Sequence, residues 1–292
     1  MNLKLLDILA CPKCSGKLTC NVGIVSKEDD ILTGSLICID CPKTYPIKSS
    51  IPCFVDTENY ASSFGYQWNH FRKEQIDSCN GKQLSEKRFF SETGWTHDWM
   101  KGKWILDAGC GAGRFLDIAS KSSAEVVGID MSNAVDAVKK TLGARPNIHL
   151  VQASIYELPF RKNIFDGCYC IGVIQHTPAP KKTIQSLPGI IREGGNIAIT
   201  IYERKPWQPL SPKYILRHFT KRLNDPFLLT LVKCIMPIVF PITEVLYRLP
   251  LLGKLFQFLI PIANYVDEKN LSMGERYRWA IMDTFDMLAP AF

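Results

Sequence analysis

The sequence predicts an α/β fold, with a cysteine ribbon ahead of it and a helical region behind it. Three observations carry that expectation. Two Cys-x-x-Cys pairs, Cys11/Cys14 and Cys38/Cys41, lie near the N-terminus. An apolar run, Trp104-Ile105-Leu106, leads into Asp107-Ala108-Gly109-Cys110-Gly111-Ala112-Gly113 and then an amphipathic stretch, which reads as strand, glycine turn and helix. From there to about residue 203, apolar strands alternate with helical segments joined by short loops, the pattern of a parallel sheet.

At 292 residues and 46% hydrophobic, the chain has material for one large domain and a small module. The net charge of +7 includes no long lysine or arginine run. A basic surface suits anionic substrates, RNA or a membrane face, and equally describes an ordinary soluble basic enzyme. The 11 cysteines are not spaced as a secreted disulfide framework, and Met1-Asn2-Leu3-Lys4 begins no signal-peptide plan. A reducing cytoplasm is the expected compartment.

The two cysteine knuckles are separated by 23 residues. That spacing allows Cys11, Cys14, Cys38 and Cys41 to hold one tetrahedral Zn²⁺, which would stabilise a piece too small to build a full core alone. Cys20 and Cys53 fit neither knuckle and are expected to pack. The segment Leu5-Leu6-Asp7-Ile8-Leu9-Ala10-Cys11-Pro12-Lys13-Cys14, with Tyr45-Pro46-Ile47 and Ile51-Pro52, resembles the small zinc-ribbon protein that binds and activates several methyltransferases. The resemblance covers residues 1–56. It departs at Ser50, where that family usually carries glycine.

Residues 57–100 are rich in aromatics, among them Tyr60 and Phe64-Gly65-Tyr66-Gln67-Trp68. They are read as helices capping a cofactor cleft, with the aromatics either stacking on a ligand or fixing the cap to the sheet. His70 and His97 are expected to be structural.

In the core, 101–203, the pattern Asp-x-Gly-x-Gly-x-Gly differs from the dinucleotide pattern, which would need glycine or alanine where Arg114 stands. The stretch resembles motif I of the class I S-adenosylmethionine-dependent methyltransferases. The resemblance implies a Rossmann-like sheet and a cofactor held by Asp107, Gly109, Gly111 and Gly113. Glu125-Val126-Val127-Gly128-Ile129-Asp130 is a second strand ending in an acid, where Asp130 is placed to accept the ribose hydroxyls or, alternatively, to cap the next helix. After a third strand, 148–152, the resemblance implies that Ser154 and Ile155 flank adenine, with serine where the family commonly has aspartate. A fourth strand begins at Phe165, and the loop after it should face the cofactor. His176 on that loop is the candidate general base, or else a residue that orders the loop. A helix and glycine turn over 187–195 precede a fifth strand at 196–202.

Residues 204–292 change character. Lys213, Arg217, Lys221 and Arg222 form a basic flank to an apolar stretch reaching Val266. Its charge-free runs are short, and Pro237, Pro241, Pro250 and Pro261 are expected to break it into short helices with no membrane span. The region 211–266 is read as a peripheral membrane contact or as an insertion forming the acceptor pocket. No closing β-hairpin is legible after residue 203, which leaves a truncated chain or a lost hairpin as expectations.

The function expected is methyl transfer from S-adenosylmethionine to a small-molecule, sugar or lipid-linked glycan acceptor, at oxygen. This could take place at the inner face of the membrane, with a protein partner possible through the ribbon. Alternatives are an RNA methyltransferase, less favoured because the ribbon has few basic residues, and a non-catalytic binding or scaffold protein.

Overall fold

A computed structural model describes residues 1–26, 30–56, 59–203 and 210–289. The described chain divides into two compact units, 1–202 and 203–292. Thr57 and Glu58, where the cap was expected to begin, and the last three residues lie outside the described residues.

The first unit opens with a short helix, α1 (Leu3–Ile8), and an antiparallel sheet of β1 (Leu18–Val22), β2 (Gly34–Cys38), β3 (Thr44–Lys48) and β4 (Ile51–Pro52), in that order. Tight pairing of Lys48 with Ile51 leaves Ser49-Ser50 as a two-residue turn. Both serines take positive φ, 49° and 67°, as a hairpin turn of this length requires. The glycine usual at the second position in the ribbon family is explained by this backbone.

The cap follows as α2 (Ser62–His70), α3 (Asp77–Asn80), α4 (Leu84–Thr93) and α5 (His97–Met100). The core comprises β5 (Trp104–Ala108), α6 (Leu116–Ala119), β6 (Glu125–Asp130), α7 (Ala134–Leu142), β7 (Ile148–Gln152), β8 (Phe165–Ile171), α8 (Pro180–Ser186) and β9 (Ile191–Thr200). Its five strands are all parallel, in the order β7-β6-β5-β8-β9. The order reverses between β5 and β8, so the switch-point crevice lies at their carboxyl ends.

Two expectations are corrected here. The helix read over 187–193 lies earlier, at Pro180–Ser186. The fifth strand starts at Ile191, with Gly194 at φ 74° inside it. Phe165 pairs with Ile191 and Gly167 with Asn196, so the glycines form a bulge within the strand and do not separate helix from strand. Among the described residues no strand follows Thr200.

The ribbon is built into the edge of this sheet. Phe54 N–H donates to the Gln152 carbonyl at 2.8 Å, and Cys53 bridges Gln152 in parallel. On the other side of the ribbon, Ala10 N–H donates to Pro159 O at 3.0 Å and Arg161 N–H to Ile8 O at 2.9 Å. Leu5, Leu9 and Leu36 share one apolar core with Val127, Val151 and Phe160. An exposed parallel edge at β7 would present unpaired backbone groups, and the ribbon pairs with its carboxyl end at Gln152. Cys20 and Cys53 pack outside the cysteine cluster, as expected.

The second unit is helical: α9 (Pro212–Thr220), α10 (Asp225–Leu246), α11 (Gly253–Leu259) and α12 (Met273–Leu288). Pro237 and Pro241 do not break α10, which runs 22 residues through both. Each proline removes one helical hydrogen bond. Both prolines are on the exposed side, where water can satisfy the freed carbonyls. The opposite row, Leu228, Val232, Met236, Phe240 and Thr243, is buried and packs on α12. That packing outweighs the two lost bonds. Pro250 and Pro261 do fall outside helices. The unbroken α10 is long and apolar enough to cross a membrane by length and composition, which the short charge-free runs did not suggest.

Candidate active site at the carboxyl edge of the parallel sheet

The glycine turn is stitched to the end of β6. Gly109 and Cys110 N–H both donate to Ile129 O, at 2.9 and 2.8 Å, Gly113 N–H closes back on Cys110 O, and Gly111 N–H donates to Asp130 Oδ2 at 3.0 Å. Gly109 sits at φ 92°, and a Cβ there would lie 2.5 Å from the Val173 side chain. Gly111 sits at φ 51°, and its Cβ would come within 3.1 Å of Trp68 Nε1. Side chains at either position would strain the backbone and fill the turn.

Asp130 is half-buried, and Ser132 grips its second oxygen through N–H (2.9 Å) and Oγ (2.6 Å). Burial raises its pKa against these donors. Ser132 fills both acceptor sites of Oδ1, and Oδ2, which accepts only from Gly111, retains a lone pair for a further donor. The helix-capping alternative fails on position, because Asn133 is the residue preceding α7.

Asp107 is buried on β5, and its Oδ2 has no hydrogen-bond partner among the described residues. Burial pushes the carboxyl well up, the neighbouring Tyr169 hydroxyl draws it partly back, and Asp130 adds to the rise. The hydroxyl of Tyr169, its cross-strand neighbour on β8, lies close to this carboxyl without closing a full hydrogen bond to it or to any other described residue, and is shifted upward by burial and by Asp107. A buried polar atom without a partner costs free energy. An orphaned carboxyl oxygen beside a glycine turn suits a cationic group of a ligand.

The cap helix α2 lies over this crevice. Asn69 Nδ2 donates to Asn133 O at 2.9 Å, and Gly65 packs where any side chain would overlap Asn133. Burial, with Tyr156 and Asp130 nearby, pushes the Tyr60 hydroxyl up to about 12. The aromatic-rich cap thus brings Tyr60 and Trp68 to the glycine turn and Asp130. Ile155 is buried in the loop after β7, while Ser154 Oγ accepts from Tyr156 N–H at 3.2 Å, ordering its own loop.

After β8, Ile174–His176 form a single tight helical turn. The His176 ring meets Phe64 of the cap edge-on, with centroids 5.3 Å apart. Both side-chain amide atoms of the preceding Gln175 are buried and have no partner among the described residues. Arg88, Glu92 and Thr200 form a linked polar set at the ends of β8 and β9, with Arg88–Glu92 at 2.6 Å and Thr200–Glu92 at 2.7 Å. Reading along the sequence missed Tyr169, Ser132, Gln175 and this set. The one available signal was Tyr169 itself, a phenol inside an apolar strand. His70 contacts Tyr66 and Phe71, and His97 contacts Phe90 and Glu86, both as packing residues.

In the ribbon, the Sγ atoms of Cys11, Cys14, Cys38 and Cys41 all lie within 4.8 Å of one another, with Cys11–Cys41 at 3.7 Å and Cys14–Cys38 at 3.5 Å. Four sulfurs around one Zn²⁺ would be spaced about 3.8 Å apart given the usual Zn–S length, so this donor set fits zinc. Tyr45 OH lies 3.2 Å from Cys11 Sγ, placed to donate to a thiolate. Asp40 N–H similarly points at Cys38 Sγ, at 3.4 Å.

Comparison with known proteins agrees with both halves of this unit. A family model described as "Methyltransferase domain" matches residues 106–199, and one described as "Trm112p-like protein" matches residues 2–50. A ubiquinone biosynthesis O-methyltransferase of Alkalilimnicola ehrlichii is 27% identical over 133 residues, covering 43% of this chain and 54% of that protein. One of Coxiella burnetii is 31% identical over 107 residues, covering 36% and 46%. The match therefore spans about half the length of these curated relatives. A SAM dependent methyltransferase of Aquifex aeolicus aligns at 19% identity over 51% of this chain and 78% of its own, with a TM-score of 0.37. The chain therefore carries a class I methyltransferase domain fused behind a Trm112p-like domain.

Proposed function

We propose that this chain transfers a methyl group from S-adenosylmethionine to an oxygen of a small-molecule acceptor. The observation that carries the reading is the glycine turn locked to Asp130 by the Gly111 N–H. When bound, the cofactor supplies an electrophilic methyl on a sulfonium. Asp130 accepts a ribose hydroxyl with the remaining lone pair of Oδ2. The orphaned Asp107 oxygen accepts the ammonium, which would lower the carboxyl pKa again. Gly109, Gly111 and Gly113 let the ligand approach the backbone, and Ile155 supplies an apolar neighbour for adenine. His176, braced by Phe64, takes the acceptor's proton at an imidazole nitrogen. Cap and loop together align the acceptor, where positioning contributes much of the rate.

The resemblance to ubiquinone biosynthesis O-methyltransferases favours oxygen as the methylated atom. A soluble or lipid-linked sugar is among the acceptors proposed. Cys11, Cys14, Cys38 and Cys41 hold a structural Zn²⁺. A protein partner through the ribbon is part of the proposal; within the chain the ribbon already pairs with its own methyltransferase domain at Gln152. The enzyme works in a reducing compartment on the cytoplasmic side of a membrane, where the four clustered cysteines stay available as thiolates for the metal.

The test is incubation with methyl-labelled S-adenosylmethionine and fractionated cell extract. Label should enter the small-molecule or lipid fraction in an alkali-stable, oxygen-linked form. Label entering RNA alone would contradict the reading.

A further inference from the structure

The second unit exposes an unusual amount of apolar surface, and it does so in helical rows. On α10, Phe227, Leu231, Ile238, Ile242 and Val245 lie along one side at spacings of four, seven, four and three residues, 41–67% exposed. With the buried row opposite, α10 is apolar nearly all round, a property of fully buried or membrane-contacting helices. On α11, Leu255 and Leu259 repeat the pattern at 49% and 46%.

Helix α9 is turned inside out. Its polar side faces the protein, where Arg217 Nη2 donates to Ala289 O at 3.3 Å and Thr220 Oγ1 to Leu288 O at 2.6 Å. Its apolar side, Ile215 and Phe219, is 64% exposed at both residues. Between α10 and α11, Leu251 is 99% exposed and held at φ 65°. A leucine in left-handed backbone is strained, and here the strain presents the side chain to the outside.

These rows sit in a basic surround. Over residues 210–262 there are seven lysines and arginines (213, 217, 221, 222, 233, 248, 254) against two acids (225, 244), a balance of +5. One of the acids, Glu244, is already bound by Arg276 and Arg248.

We infer that α9, α10, α11 and the Leu251 turn form a face that docks on an anionic lipid bilayer, with α10 lying in the interfacial plane. Charge complementarity selects the occupant, because exposed leucine, isoleucine and phenylalanine flanked by lysine and arginine match acyl chains beneath anionic headgroups. The in-plane orientation follows from α12. One side of α10 is committed to that helix through the buried row and a two-pronged Glu244–Arg276 ion pair, both contacts at 2.9 Å. Helix α12 also carries Glu275, Arg278, Asp283 and Asp286, and it would not follow α10 into hydrocarbon. The docking stands on these helices alone. Its use, bringing a lipid-borne acceptor to the enzyme, rests on the proposed methyl transfer.

The experiment is co-sedimentation of the full chain with phosphatidylcholine vesicles, with and without phosphatidylglycerol, at low and high salt. The expected result is binding to the anionic vesicles only, weakened by salt. Leu251→Asp, and separately Lys221→Glu with Arg222→Glu, should each lower affinity at least about tenfold. All three side chains are exposed, and an unchanged melting temperature and S-adenosylmethionine titration would show that fold and cofactor site are intact. No binding to either vesicle, or binding that these substitutions leave unchanged, would overturn the inference. Retention in membranes after a carbonate wash would replace it with a spanning helix. A dimer dissociated by Leu251→Asp would replace it with a self-association face. A chain that binds vesicles but not S-adenosylmethionine would sink the methyl-transfer reading and leave this one standing.

Discussion

Gly111 N–H reaches Asp130 Oδ2 at 3.0 Å, joining the loop after the first core strand to the acid at the end of the second. Two segments of the proposed ligand cradle, separated in sequence, are thereby fixed to each other. Replacing Gly111 with alanine places a methyl at φ 51°, 3.1 Å from the Trp68 indole. The expected outcome is a loss of about 1–2 kcal/mol of stability and at least about tenfold weaker cofactor binding. Thermal melts and calorimetry measure both, and an unchanged affinity would separate the turn from the ligand.

His176 is the test of chemistry as distinct from binding. His176→Gln should leave cofactor affinity within error and lower kcat by about 10²-fold or more, the usual range for a lost general base. The pH profile of kcat should lose its limb near neutrality. A variant that lowers affinity and kcat together would assign His176 to ordering the loop with Phe64.

Removing the metal should reach beyond the ribbon. Because Phe54 pairs with Gln152 and Leu5, Leu9 and Leu36 share a core with Val127 and Val151, loss of zinc should loosen β7 as well. Amide exchange at residues 148–152 should accelerate after chelation or in Cys38→Ser. Acceleration confined to residues 1–50 would show the ribbon to be an independent attachment.

Ser50 occupies a glycine backbone, and its Oγ is buried without a partner among the described residues. Ser50→Gly removes both the positive-φ strain and the orphaned hydroxyl. Stabilisation of about 1 kcal/mol is expected, read as a higher melting temperature.

His149 gives the fold a pH dependence. It is buried 2.8 Å from Glu125 and stacked on Trp104, and burial holds its pKa below the ordinary value against the pull of Glu125. The unfolded chain binds a proton near pH 6.5 that the folded chain resists. Stability is therefore complete above that pH and lost as pH falls through it. Melting temperatures from pH 8 to 5 should decline, and His149→Gln should flatten the upper part of that decline. Parallel curves would refute the assignment.

The alternation of strand and helix in the core was legible because strand, glycine turn, helix and strand-end acid are local signals in fixed sequence. The cysteine cluster was legible from spacing alone. What stayed hidden depends on non-local pairing. Nothing near Cys53 announces that it lies beside Gln152, and nothing near Asp107 announces Tyr169. The prolines of α10 misled for the same reason, since the buried row that holds the helix together is satisfied by α12, not by its own neighbours. Gly194 and Gly195 look like a turn in sequence and become a bulge only through the register that β8 imposes.

The most direct measurement is calorimetric titration of the full chain with S-adenosylmethionine, repeated on Asp130→Ala. The account predicts saturable one-to-one binding by the native chain, weakened at least about tenfold in the variant. Absence of binding by the native chain, or equal binding by both, would contradict it.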